Sequence, residues 1–228
     1  ITRQVYSGMG GSFAPDFPRK RKKMKTYILI HGNSGSKKDL FFLEKELSHF
    51  GNVLNLDLPC HGNNKCSKTL SIESCAKYIY NKIQDITDDF VFVGYSDGAN
   101  IIMNLISSFK INVNNAVLIS PTISWKGMKL WLRAIIKFTF YITFLNPFLV
   151  RVRKRMLMMI NYNYDGKNLS NIPITLLFAQ EDVVTIEEQE EIEKITNSKK
   201  IVIENTTHFN IFKNRKTLEI ISLTTAST

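Results

Sequence analysis

The chain has 228 residues, 44% of them apolar and 22% charged, which is enough to bury one sizeable core and excludes a disordered chain or a string of small domains. Its net charge of +10 is unevenly placed: residues 1–25 carry +6, residues 121–172 carry +8 and the remainder −4, and no nucleic-acid motif accompanies the basic residues, which argues against a DNA- or RNA-binding protein. Three cysteines, Cys60, Cys66 and Cys75, cannot all pair and lack histidine partners at zinc spacing, so the expectation is no metal and a reducing, cytoplasmic compartment.

Residues 1–23 contain Gly8-Met9-Gly10-Gly11, Pro15, Pro18 and the run Arg19-Lys20-Arg21-Lys22-Lys23, with no apolar periodicity. They read as a flexible basic extension, and the absence of a following apolar run argues against a secretory signal. Met24 directly precedes the first strand, which makes a native start there a reasonable hypothesis. From residue 26 short apolar runs alternate with helical patterns, the signature of a mostly parallel sheet flanked by helices. Tyr27-Ile28-Leu29-Ile30 predicts a buried strand, and Leu40, Leu43, Leu47 and Phe50 predict an amphipathic helix over 38–50. Val53 to Leu56 is the next strand, residues 71–84 a helix, Phe90 to Val93 a buried strand and Asn100 to Phe109 a helix. Ala116 to Ile119 and Ile174 to Phe178 predict two further strands. A Glu-rich helix near 186–195, the strand Lys200 to Ile203 and a helix near 211–222 close the pattern.

The interval 121–172 is far longer than a crossover needs and reads as a helical cap inserted into a core made of 24–120 and 173–228. It holds Trp125, Trp131, Phe138, Phe140, Tyr141, Phe144 and Phe148. Lys137, Asn146 and Pro147 interrupt its apolar stretch, which falls short of the ~20 residues of a spanning helix. Packing of its apolar side on the main domain is the plain reading, and contact of its basic aromatic surface with lipid is the alternative.

Gly94-Tyr95-Ser96-Asp97-Gly98 lies between a predicted strand and a predicted helix, where the glycines permit a sharp turn that lifts a serine hydroxyl above the sheet edge. A serine needs a base to take its proton and an acid to orient that base. His208 follows the last strand, and Asp182 follows the strand before it, with Glu181 as a competing acid. The expected oxyanion donors are the backbone N–H groups of Asp97, directly after the serine, and Asn33, in His31-Gly32-Asn33-Ser34-Gly35 after the first strand. His31 reads as a brace for that loop. The Asp97 carboxylate is explained by the helix dipole, and attraction of a cationic substrate is the alternative.

With His31-Gly32, Asp57-Leu58-Pro59-Cys60-His61-Gly62, the elbow at Ser96, Asp182 and His208 in this order, the chain resembles the serine α/β-hydrolase family over roughly residues 26–222. The resemblance implies the α/β-hydrolase fold with an inserted cap, and an esterase- or lipase-like enzyme without a cofactor. Ser96 would attack a small-molecule carboxylic ester with an apolar group and form an acyl-enzyme. Amide, thioester or carbon–carbon cleavage on the same residues stays open. A second reading is a catalytically idle hydrolase fold that binds membrane or a partner through the cap. Cys60 stands where the family usually has glycine, and no hairpin precedes Tyr27.

Overall fold

The computed structural model describes residues 25–164 and 169–226; the expected basic extension, residues 1–23, lies outside them. Six strands, β1 (Lys25–Ile30), β2 (Asn52–Leu56), β3 (Asp89–Tyr95), β4 (Val113–Ile119), β5 (Ile174–Glu181) and β6 (Lys200–Thr207), form one sheet in the order β2-β1-β3-β4-β5-β6. Every pairing among these strands is parallel. A parallel sheet is covered on both faces, so its strands read as unbroken apolar runs; Tyr27 to Ile30 are fully buried.

Successive residues point to opposite faces and build two cores. Ile28, Phe92, Leu118 and Phe178 pack with α2 (Ile72–Ile83), α3 (Asp97–Ser108) and Ile192 of α6 (Ile186–Thr196). Leu29, Val93, Val117 and Leu177 pack with Leu43 and Leu47 of α1 (Phe41–Leu47) and Ile221 of α7 (Arg215–Ala226). The helix expected over 38–50 ends at Leu47, so Phe50 falls in the following turn and is 51% exposed.

Between β4 and β5 the chain forms α4 (Leu130–Ile142) and α5 (Val150–Ile160), joined by a short turn and a 3-10 segment, Pro147–Leu149. Glu188 anchors the start of this stretch by accepting from the backbone N–H groups of Ile123 and Ser124 at 2.7 and 2.8 Å. Arg151 and Lys154 of α5 donate to backbone carbonyls of Asn64, Ser67 and Lys68 and tie the hairpin to the loop after β2. That loop is closed by a disulfide between Cys60 and Cys66, a pair the expectation of a reducing compartment did not include. Cys75 is buried and unpaired, and burial pushes its thiol up to about 12. No helix among the described residues is long and apolar enough to cross a membrane.

Candidate active site

The elbow between β3 and α3 depends on its glycines. A Cβ on Gly98 would run into the carbonyl of Ile30, and one on Gly94 would sit 2.6 Å from the carbonyl oxygen of Gly98. With neither present, Ser96 takes φ 54° and ψ −122°, in the left-handed half of φ space that side-chain-bearing residues rarely adopt. The strained turn aims its hydroxyl off the carboxyl end of the sheet.

Two later strands deliver the partners. β5 and β6 both run further than their apolar stretches suggest, to Glu181 and Thr207, so Asp182 and His208 directly follow strand residues. The Ser96 hydroxyl lies 3.2 Å from His208 Nε2, and His208 Nδ1 donates to Asp182 Oδ1 at 2.8 Å. Asp182 is buried, whereas the competing Glu181 is exposed. Burial opposes charge on Asp182, but the hydrogen bond and charge of His208, then the Ser120 hydroxyl at 2.5 Å and the Ala179 N–H at 2.9 Å, hold its carboxyl below the usual range. Tyr95 fixes the His208 backbone by donating its hydroxyl to the His208 carbonyl at 2.7 Å.

Asn33 and Asp97 meet beside Ser96. Asn33 Nδ2 donates to Asp97 Oδ2 at 2.8 Å and to the Arg155 carbonyl of α5 at 3.1 Å, while Arg155 Nη1 donates back to the Asn33 carbonyl at 3.2 Å. The backbone N–H groups of Asn33 and Asp97 donate to no acceptor among the described residues. Asp97 is 5% exposed, and burial pushes its carboxyl up to about 6 against the bonds from Asn33 and Asn100. It stands at the start of α3, but burial outweighs any stabilisation of the anion by the helix dipole, and the residue also borders the cavity.

His31 braces the loop: Nδ1 donates to the Gly32 carbonyl at 2.8 Å, and Nε2 accepts from the Leu58 N–H at 3.2 Å. His61 sits between the carbonyls of Pro59 at 2.9 Å and Asn33 at 2.7 Å. A neutral ring can donate to only one of them. Burial dominates nonetheless, and His31 and Arg155 add to it, taking His61 down to about 4.

These groups open onto a cavity of about 330 Å³ whose walls include Leu132 and Ile136 of α4, Met156 and Met159 of α5, Tyr95 and Phe212. Among the described residues no cluster of three or more His, Cys, Asp or Glu is placed to hold a metal ion. The structure thus brings together Ser96, Asp182, His208, Asn33 and Asp97, the five residues expected from sequence. Sequence reasoning missed Tyr95, Ser120 and Arg155. Tyr95 stands inside the elbow motif and Ser120 directly after β4, so position was a signal for both; nothing in the sequence separates Arg155 from the other cations of the basic interval 121–172.

The sequence profile of an alpha/beta hydrolase family matches residues 27–215. A Haemophilus influenzae protein assigned as a 2-succinyl-6-hydroxy-2,4-cyclohexadiene-1-carboxylate synthase is 35% identical over 80 residues, which is 34% of this chain and only 32% of that protein. Among solved structures, a lipase-esterase related protein from Clostridium acetobutylicum superposes with a TM-score of 0.70 at 20% identity, covering 90% of this chain and 94% of that one. A thermophilic esterase from Thermogutta terrifontis gives 0.68 at 16% identity, with 90% and 92% covered. At these identities the solved structures speak for the fold.

Proposed function

This chain belongs to the alpha/beta hydrolase family, and from that premise we propose that it is a serine hydrolase cleaving small carboxylic esters with an apolar group. The observation that carries this reading is the continuous relay from Ser96 through His208 to Asp182 at the edge of an apolar cavity. Ser96 Oγ attacks the ester carbonyl carbon as His208 Nε2 takes its proton, and Asp182 holds the ring and the charge it acquires. The carbonyl oxygen becomes an oxyanion facing the N–H groups of Asn33 and Asp97. The C–O bond then breaks, His208 returns the proton to the departing alcohol, and an acyl-enzyme remains. Water, deprotonated by the same His208, attacks the acyl carbon, releasing the acid and restoring Ser96. No cofactor is required.

In this reading the segment 121–172 is a cap whose inner side chains hold the apolar group. A cavity of about 330 Å³ is near the lower end of small-molecule sites, which favours an acyl chain of modest length. The catalytically idle alternative gives no reason for a buried, fully hydrogen-bonded Asp182 behind His208. Labelling with a fluorophosphonate probe, followed by a p-nitrophenyl ester chain-length series, tests the proposal. Wild type should label, and Ser96→Ala should neither label nor turn over, a loss of at least about 10⁴-fold. A folded wild type that does not label would sink the reading.

A further inference from the structure

A helix of 3.6 residues per turn that packs on one side normally carries a polar second side. α4 carries large apolar residues on both, with Arg133 and Lys137 at one flank between them. Leu132 and Ile136 face the cavity, while Trp131, Ile135, Phe138 and Tyr141 point away from it and are 51%, 53%, 69% and 68% exposed. The turn that follows adds Phe144, Leu145 and Phe148, exposed by 59%, 85% and 90%. A helix with large apolar side chains opposite its packed side calls for a second apolar surface or lipid, and the described residues cover only its inner side.

The charge around this face identifies what covers the other. Residues 121–164 contain eight Lys or Arg and no Asp or Glu. Arg151, Lys154 and Arg155 are engaged with backbone carbonyls and hold the hairpin down. Lys126, Lys129 and Lys137 are exposed, and the Arg153 guanidinium lies 4.6 Å from the centroid of the Phe144 ring. We propose that the outer face of α4 and the hairpin tip dock the protein on an anionic lipid surface, from which the cavity takes an amphiphilic ester. The second half rests on the serine hydrolase reading; the first does not. A second copy of the chain would oppose this positive surface with its own charge. An anionic bilayer presents negative headgroups and apolar depth in one plane, and α4 has the length and composition to lie in it without crossing.

The test is flotation with phosphatidylcholine vesicles with and without about 30% phosphatidylserine. Wild type should float with the anionic vesicles and lose that binding as salt rises. Removing three charges with Lys126→Gln, Lys129→Gln and Lys137→Gln should weaken binding on the order of 100-fold, at about fivefold per charge. The tip variant Phe144→Ser, Leu145→Ser, Phe148→Ser should also release the protein. Both variants should hydrolyse a water-soluble ester as wild type does, which establishes their folding, and the tip variant should lag only on an ester embedded in vesicles. Ser96→Ala should float normally. A wild type that stays soluble, or binding indifferent to both variant sets, overturns the proposal. A concentration-dependent dimer abolished by the tip variant, without flotation, assigns the face to self-association instead. Flotation without any ester hydrolysis overturns the supply route and keeps the docking.

Discussion

The Asp97 carboxyl is held at about 6 instead of its ordinary 3.8, and the cause is burial that the Asn33 amide, the charge of His208 and the Asn100 amide only partly offset. The folded state therefore keeps a proton that the unfolded state gives up near pH 4. Stability from this group is fully present below that pH, falls as pH rises to about 6 and is flat beyond. Two pH units at about 1.4 kcal/mol each put the loss at about 3 kcal/mol. Asp97→Asn is neutral at every pH but turns one of two oxygens that accept from amide N–H groups into a donor, so near pH 4 it should be less stable than wild type by about 1 kcal/mol, the cost of one hydrogen bond. Between pH 4 and pH 8 the variant should gain about 3 kcal/mol relative to wild type, or roughly 6–12 °C in relative Tm for a chain of this size, and so overtake it. Guanidinium unfolding followed by circular dichroism at intervals from pH 4 to 8 measures the difference, in which groups common to both proteins cancel. A difference independent of pH, or a variant less stable at pH 8, would refute the claim that this carboxylate is buried at a cost.

Ser120→Ala removes a hydroxyl that donates to the Asp182 carboxylate, and hydrogen bonds to charged groups contribute about 1.5–3 kcal/mol. Unfolding at pH 7 should show a loss of that order. Because Asp182 is held below its ordinary range, the loss should shrink as pH falls below about 4 and the carboxylate takes up a proton in both states. Arg155→Met keeps much of the side-chain bulk but severs the bond from α5 to the Asn33 carbonyl. Soluble-ester kinetics should show a lower kcat, and proteolysis within residues 143–149 should speed up relative to wild type; unchanged values for both would mean the contact does not hold the hairpin.

The sheet was legible because burial on both faces leaves nothing but apolar residues in its strands, as in Tyr27 to Ile30. The elbow was legible because Gly94 and Gly98 have no sterically acceptable replacement. Strand ends were not. Gln180 and Glu181, and Glu204 to Thr207, look like loop, yet after a register shift between Ala179 and Glu181, with Asn205 at φ 55°, backbone pairing resumes at Glu181 and Thr207. Side-chain bonds to backbone carbonyls leave no pattern in a sequence, so nothing there distinguishes Arg155, Lys154 and Arg151, which tie α5 to its neighbours, from the other cations of the basic aromatic surface. The Cys60–Cys66 bond was hidden for another reason: three cysteines admit three different single pairs, and only the closed turn after β2 selects one.

Asn33 is bonded at once to α5, through Arg155 in both directions, to the elbow, through Asp97, and to the loop after β2, through His61. Withdrawing α5 from the cavity mouth therefore breaks two of the contacts that orient one proposed oxyanion donor. Under the proposed function, a hairpin that swung out to admit substrate would leave the donor pair poorly aligned until it returned, so entry and turnover would be alternatives in time. Selectivity would then extend beyond the fit of a substrate in the cavity to whether the hairpin can reseat over it, and an ester too long to be enclosed would bind and yet turn over slowly.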